Sequence, residues 1–161
     1  MIDISRIDKH TLDLMIHLSK SDKEYCIPLI DTHGSISAYD VIEGSERSVC
    51  SVHPSMINSM VAQFHNHPNE IKVTISDQDM LISYQYNMTL IIGGKEEIKL
   101  FEPRPKNTFM RDYQSLQQIQ NEIIPKLDLG IDIDEYLKIK FKSAYQKALS
   151  NFNVVFISLP L

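Results

Sequence analysis

Cysteine is scarce in this chain, and long apolar runs are missing. The 161 residues include two isolated cysteines, Cys26 and Cys50, with no C-x-x-C pair. That spacing excludes a dense disulfide framework and predicts two buried free thiols. No apolar stretch approaches the roughly 18–20 residues that a membrane span requires. The opening MIDISRIDKH lacks the apolar core of a signal peptide, so a cytoplasmic location is expected. Positive charge is also in deficit: 16 Lys and Arg stand against 21 Asp and Glu, for a net charge of −5. No global field therefore draws the protein to nucleic acid. The local basic spots, Arg104, Lys106 and Arg111 and then Lys138, Lys140 and Lys142, read as solvated faces. Repeats, low-complexity tracts and long linkers are absent.

What remains is ordinary globular composition, 43% hydrophobic and 23% charged, in a length suited to one domain with a real core. Ile4, Ile7, Leu14, Met15 and Leu18 predict a first helix over 3–20. EYCIPLI (24–30) reads as a buried strand, THG (32–34) as a turn, and SISAYDVI (35–42) as a returning strand. HPSMINSMVA (53–62) predicts a short helix leading into a brief strand that ends at Phe64. SDQDMLISYQYN (76–87) starts like a helix. MTLIIGG and KEEIKLF form a hairpin turning at Gly93-Gly94. Two further helices follow, FMRDYQSLQQIQNEII and, capped by Asp132 with Glu135, YLKIKFKSAYQKALSN. Phe109, Tyr113, Leu116 and Ile119 make a core-facing stripe on the first of these. NVVFISLPL closes the chain as a strand. The expected class is α/β, a mixed β-sheet flanked by helices.

Residues 64–80, FHNHPNEIKVTISDQDM, carry the chemistry. Imidazoles at i and i+2 of an extended segment project to one side. His65 and His67 therefore reach one ion if the strand runs on to His67. Catalytic zinc takes three protein ligands plus water. With Ser76 as N-cap, Asp79 falls at N3 of a helix and supplies a third ligand; a register beginning at Thr74 would offer Asp77 instead. A blander reading stands beside this one. S-x-x-D before an apolar run is also a capping signature, and Asp79 also suits a helix N-terminus without metal. The helical H-E-x-x-H of other zinc peptidases and the H-x-E with P-C-x-x-C of zinc deaminases are absent.

H-x-H-P followed by S-x-x-D resembles the JAMM (MPN+, JAB-type) zinc metalloprotease motif, including its prokaryotic RadC-like branch with HNHP. The resemblance covers roughly residues 5–101. It extends to Glu24 at the start of the first core strand and to GSERSVCSVHP (44–54) before the family's middle helix. The glycine that often follows the strand glutamate is missing; Ile27-Pro28 stands there, and Pro28 suits an edge or a bulge.

The resemblance implies a JAB/MPN, cytidine-deaminase-like core over 1–104, with a helical C-terminal extension over 105–161 packed on it. It implies Zn2+ held by His65, His67 and Asp79, with water in the open position at a pKa near 7. Glu24 would be the general base, with Glu43 and Glu46 as rivals, and Ser76 the oxyanion donor. Cys26 is expected on the face opposite Glu24. The implied activity is hydrolysis of an amide bond at the C-terminus of a ubiquitin-like protein, in deconjugation or precursor processing. Two alternatives remain: a RadC-like or MPN-type interaction module without catalysis, and a phage-tail or cell-wall peptidase.

Overall fold

In the computed structural model, which describes residues 2–44 and 59–157, the expected first helix divides in two. A 3-10 turn spans Ile4–Arg6 and helix α1 spans Lys9–Ser19. The division follows from two caps. The Asp3 carboxylate accepts from Ser5 N–H, and that of Asp8 accepts from Thr11 N–H at 2.7 Å. Helix α1 buries Thr11, Met15, Leu18 and Ser19, a one-sided stripe at helical spacing.

Strand β1 (Tyr25–Thr32) returns as β2 (Ser35–Ala38) through His33 and Gly34, whose φ values of 54° and 89° suit a tight hairpin turn. The single returning strand expected over 35–42 is instead two, β2 and β3 (Ile42–Glu43), both paired with β1. The break lies beside Pro28. β2 pairs from Leu29 onward and β3 pairs at Tyr25 and Cys26. Between them Pro28, with no N–H to give, only accepts, from Tyr39 N–H at 2.9 Å. A proline thus sits in a central strand because its partner is interrupted there.

Strand β4 (Met60–Asn66) runs antiparallel to β1 and parallel to β5 (Thr89–Gly93), with helix α2 (Asp77–Tyr86) as the crossover. Strand β6 (Ile98–Pro103) is antiparallel to β5. The sheet order is β2-β1-β4-β5-β6-β7, where β7 is Phe152–Ile157. This is the α/β class with a mixed sheet. Alternation along the strands separates two faces. Ile27, Leu29, Ala62, Phe64 and Ile91 join Met15 and Leu18 of α1 in one buried cluster. Cys26, Gln63, His65, Leu90 and Ile92 are buried on the other face.

Gly93 does more than turn the chain. It ends β5 inside the sheet, where an added Cβ would overlap Ser19 Oγ and lie 3.1 Å from Phe64 Cε2. The turn proper is Gly94–Glu97, closed by Gly94 N–H to Glu97 C=O at 2.8 Å. Cys26 is disulfide-bonded rather than the expected free thiol. The other cysteine, Cys50, lies outside the described residues, as does most of the helix expected over 53–62; Met60 onward is already β4.

The chain forms two compact units, Met1–Glu102 with Asn153–Leu161, and Pro103–Phe152. The second holds helices α3 (Phe109–Asp128) and α4 (Glu135–Leu149). Phe109, Leu116 and Ile119 are buried, as the stripe required. α3 passes through Pro125 instead of stopping before it, since a proline removes one helical bond and Pro125 C=O still accepts from Leu129 N–H at 3.2 Å. α4 is capped by Asp134, not Asp132: its carboxylate takes Tyr136 N–H at 3.0 Å. The six basic residues singled out above are exposed. No helix among the described residues is long and apolar enough to cross a membrane.

Candidate metal centre at the end of strand β4

The strand expected to end at Phe64 continues to Asn66, and His67 N–H extends the ladder by bonding Gly93 C=O at 2.8 Å. His65 and His67 therefore stay in phase and share a face. Ser76 is the N-cap of α2, placing Asp79 at N3, with a complete capping box: Ser76 Oγ accepts from Asp79 N–H at 3.0 Å, and Asp79 Oδ2 accepts from Ser76 N–H at 3.4 Å. The same Oδ2 lies 3.4 Å from His65 Nε2 and 3.5 Å from His67 Nε2. The two Nε2 atoms are 3.1 Å apart. Capping and clustering are not rival roles here; one carboxylate does both.

His65, His67 and Asp79 thus form a group that could hold a metal ion. Two nitrogens and a carboxylate oxygen in mutual contact need a proton or a cation among them. The His65 and Asp79 side chains are 3% and 6% exposed and that of His67 19%, so solvent reaches the group beside His67. Burial disfavours a charge on His67, but the hydrogen bonds its ring donates to the Asp79 and Glu70 carboxylates outweigh it and push its pKa up to about 8. Burial likewise works against an ionised Asp79, yet the two imidazoles hold its carboxyl well below the usual range.

Two residues that sequence reasoning passed over support the group. The Asn66 side chain, fully buried between the two histidines in sequence, accepts from Tyr25 N–H at 2.6 Å and donates to Lys23 C=O at 2.8 Å. It pins both neighbours of Glu24 to the end of β4. Glu70 Oε2 lies 2.8 Å from His67 Nδ1. The signal for Glu70 was its place three residues after the histidine; for Asn66 it was a polar residue at a position alternating onto the α1 face.

Glu24 lies one residue before β1 and is half-buried. The β1–β4 register ends with Cys26 opposite His65; beyond it the Asn66 side chain joins the end of β4 to the residues on either side of Glu24. Directly opposed residues of antiparallel strands share a face. Cys26 therefore shares the face of His65, and the two-residue period of a strand sets residues 24 and 26 on one face, not on opposite ones as expected. Glu43 pairs with Tyr25 and so alternates onto the other face, where its exposed carboxylate is 3.3 Å from Lys23 Nζ. Glu46 lies outside the described residues. Ser76 is exposed at the helix start; its oxygen accepts the capping bond, which leaves the hydroxyl proton available to a further acceptor. Asp77, the other third ligand considered, is not part of the clustered group.

No family model matches the chain, and no curated protein matches it significantly.

Proposed function

We propose that the protein is a zinc-dependent peptidase of JAMM type that hydrolyses an amide bond at the C-terminus of a ubiquitin-like protein. One observation carries the reading: the ligand atoms of His65, His67 and Asp79 are separated by 3.1, 3.4 and 3.5 Å. Ligands on a tetrahedral zinc with bonds of about 2.0–2.1 Å are about 3.3–3.4 Å apart, so the donor set and its spacing suit that ion. Two imidazoles and one carboxylate are also a catalytic donor set, leaving one position open. When bound, zinc supplies Lewis-acid chemistry, acidifying water and polarising a carbonyl.

The chain's own residues supply the rest. Glu24, next to the start of β1 and beside the end of β4, takes a proton from the attacking water and returns it to the leaving amine. Its position is fixed by the two Asn66 hydrogen bonds to Lys23 and Tyr25. Ser76 directs its hydroxyl proton to the developing oxyanion. The ubiquitin-like substrate class rests on the motif's resemblance.

The test is cleavage of a fusion that carries a ubiquitin-like tail followed by a short peptide. Zinc-loaded protein should release the peptide, chelation should stop release, and Glu24→Gln should bind zinc but lose about 100–10,000-fold in rate. Zinc-loaded protein that cleaves no such tail would refute the substrate class. A Glu24→Gln variant as active as the parent would refute the mechanism.

A further inference from the structure

We infer that Glu70 is a positioning residue for His67, holding its ring so that Nε2 faces Asp79 and His65. This rests on the metal-site reading above. Glu70 Oε2 is 2.8 Å from Nδ1 of that ring. A carboxylate can only accept, so Nδ1 holds its proton in the neutral ring as in the charged one, and Nε2 is the nitrogen whose lone pair a ligand takes once the ring is neutral.

A surface His–Glu pair three residues apart would ordinarily mean little. Glu70 is different because both of its carboxylate oxygens and its backbone carbonyl are hydrogen-bonded. Its Oε2 also accepts from Thr74 N–H at 3.1 Å, and its Oε1 accepts from Thr74 Oγ1 at 2.7 Å. Its backbone is tied to the β5–β6 hairpin: Lys95 N–H donates to Glu70 C=O at 2.8 Å and Glu96 N–H to Ile71 C=O at 3.2 Å. Further along the loop, Glu97 Oε1 accepts Val73 N–H at 2.6 Å and Lys99 Nζ donates to Val73 C=O at 3.1 Å. The strap requires a glycine. A Cβ on Gly94 would stand 2.9 Å from Ile71 O and 3.0 Å from Glu70 O, closer than backbone oxygens tolerate.

The need for such a device is specific to His67. His65 is held by burial, and its Nδ1 has no partner among the described residues. His67 is the more exposed ring and has less packing to fix it. Glu70 itself is not a second candidate base, because it bonds the ring nitrogen on the edge away from the cluster.

The test uses the full chain and zinc alone. Zinc affinity is read by competition with a chromophoric chelator, and the His67 tautomer by long-range 1H–15N NMR above pH 9, where the ring is neutral. Glu70→Ala should bind zinc about 10–100-fold more weakly and lose the fixed Nδ1-protonated form, with a metal-free melting curve close to the parent's. Glu70→Gln keeps an acceptor and should lose less. Thr74→Val, which leaves Glu70 in place but removes one anchor, should fall between and serves if Glu70→Ala does not fold. Parent protein that takes up no zinc overturns the metal-site reading itself. Parent protein that binds zinc, with Glu70→Ala within twofold of it and an unchanged tautomer, overturns the role of Glu70 alone.

Discussion

Replacing Asp79 with asparagine separates the two jobs of one side chain. Asparagine keeps the size and an acceptor oxygen, and Ser76 Oγ still takes the N–H of residue 79. The capping-box bond that loses its charge, Ser76 N–H to Asp79 Oδ2, is long at 3.4 Å and worth little. The metal-free variant should therefore melt within a few degrees of the parent. The metal-loaded comparison should differ sharply. Dividing the roughly 10–16 kcal/mol of a four-ligand zinc site evenly gives about 2.5–4 kcal/mol per ligand, roughly a 100–1000-fold loss of affinity. Zinc at about 100 times the parent's Kd stabilises the parent by about 2.7 kcal/mol, some 5–11 °C for a chain of this size. At that concentration Asp79→Asn should show almost no shift. Thermal melts with and without zinc at pH 8 make the comparison. An equal zinc shift in parent and variant would refute Asp79 as a ligand, and a variant that is unfolded without metal would refute its minor part in capping.

Three other outcomes are expected. Ser76→Gly removes the hydroxyl but keeps a tolerated N-cap, so stability should change by a few tenths of a kcal/mol while peptide release falls about 100–1000-fold; unchanged turnover would dismiss the oxyanion role. Zinc must displace the proton from His67, whose pKa in the metal-free protein is raised to about 8. Affinity should therefore rise about tenfold per pH unit up to about 8, then level, with proton release on binding measurable by calorimetry in two buffers. Flat affinity from pH 6 to 8 would contradict this. Gly93→Ala should cost about 1–3 kcal/mol in urea unfolding through its overlap with Ser19, with part recovered by adding Ser19→Ala.

Much of the site was legible because it is local. The i, i+2 phase of His65 and His67 and the N3 position of Asp79 follow from the geometry of a strand and a helix start. Only the crossover that brings them together had to be supplied. Elements were legible where an apolar pattern was strong, as in α1, β5 and the α3 stripe. What escaped depends on a partner remote in sequence. Nothing near Pro28 announces that its neighbouring strand splits to suit it, and Gly93 reads as a turn until Ser19 is seen beside it. Asn66 and Glu70 look like loop-side polar residues until β1 and the β5–β6 hairpin are in place. Asp134 displaced Asp132 as a cap because both lie in one acidic run, where spacing alone does not choose.

The path from His67 to Asp79 is one excursion of the backbone, leaving the sheet at the end of β4 and returning to regular structure at α2. A cation shared by its two ends would act as a removable cross-link, pinching that excursion shut and lowering the entropy of the unfolded chain. Metal content would then set how readily a protease cuts between those ends, so digestion of the segment becomes a readout of loading that needs no substrate.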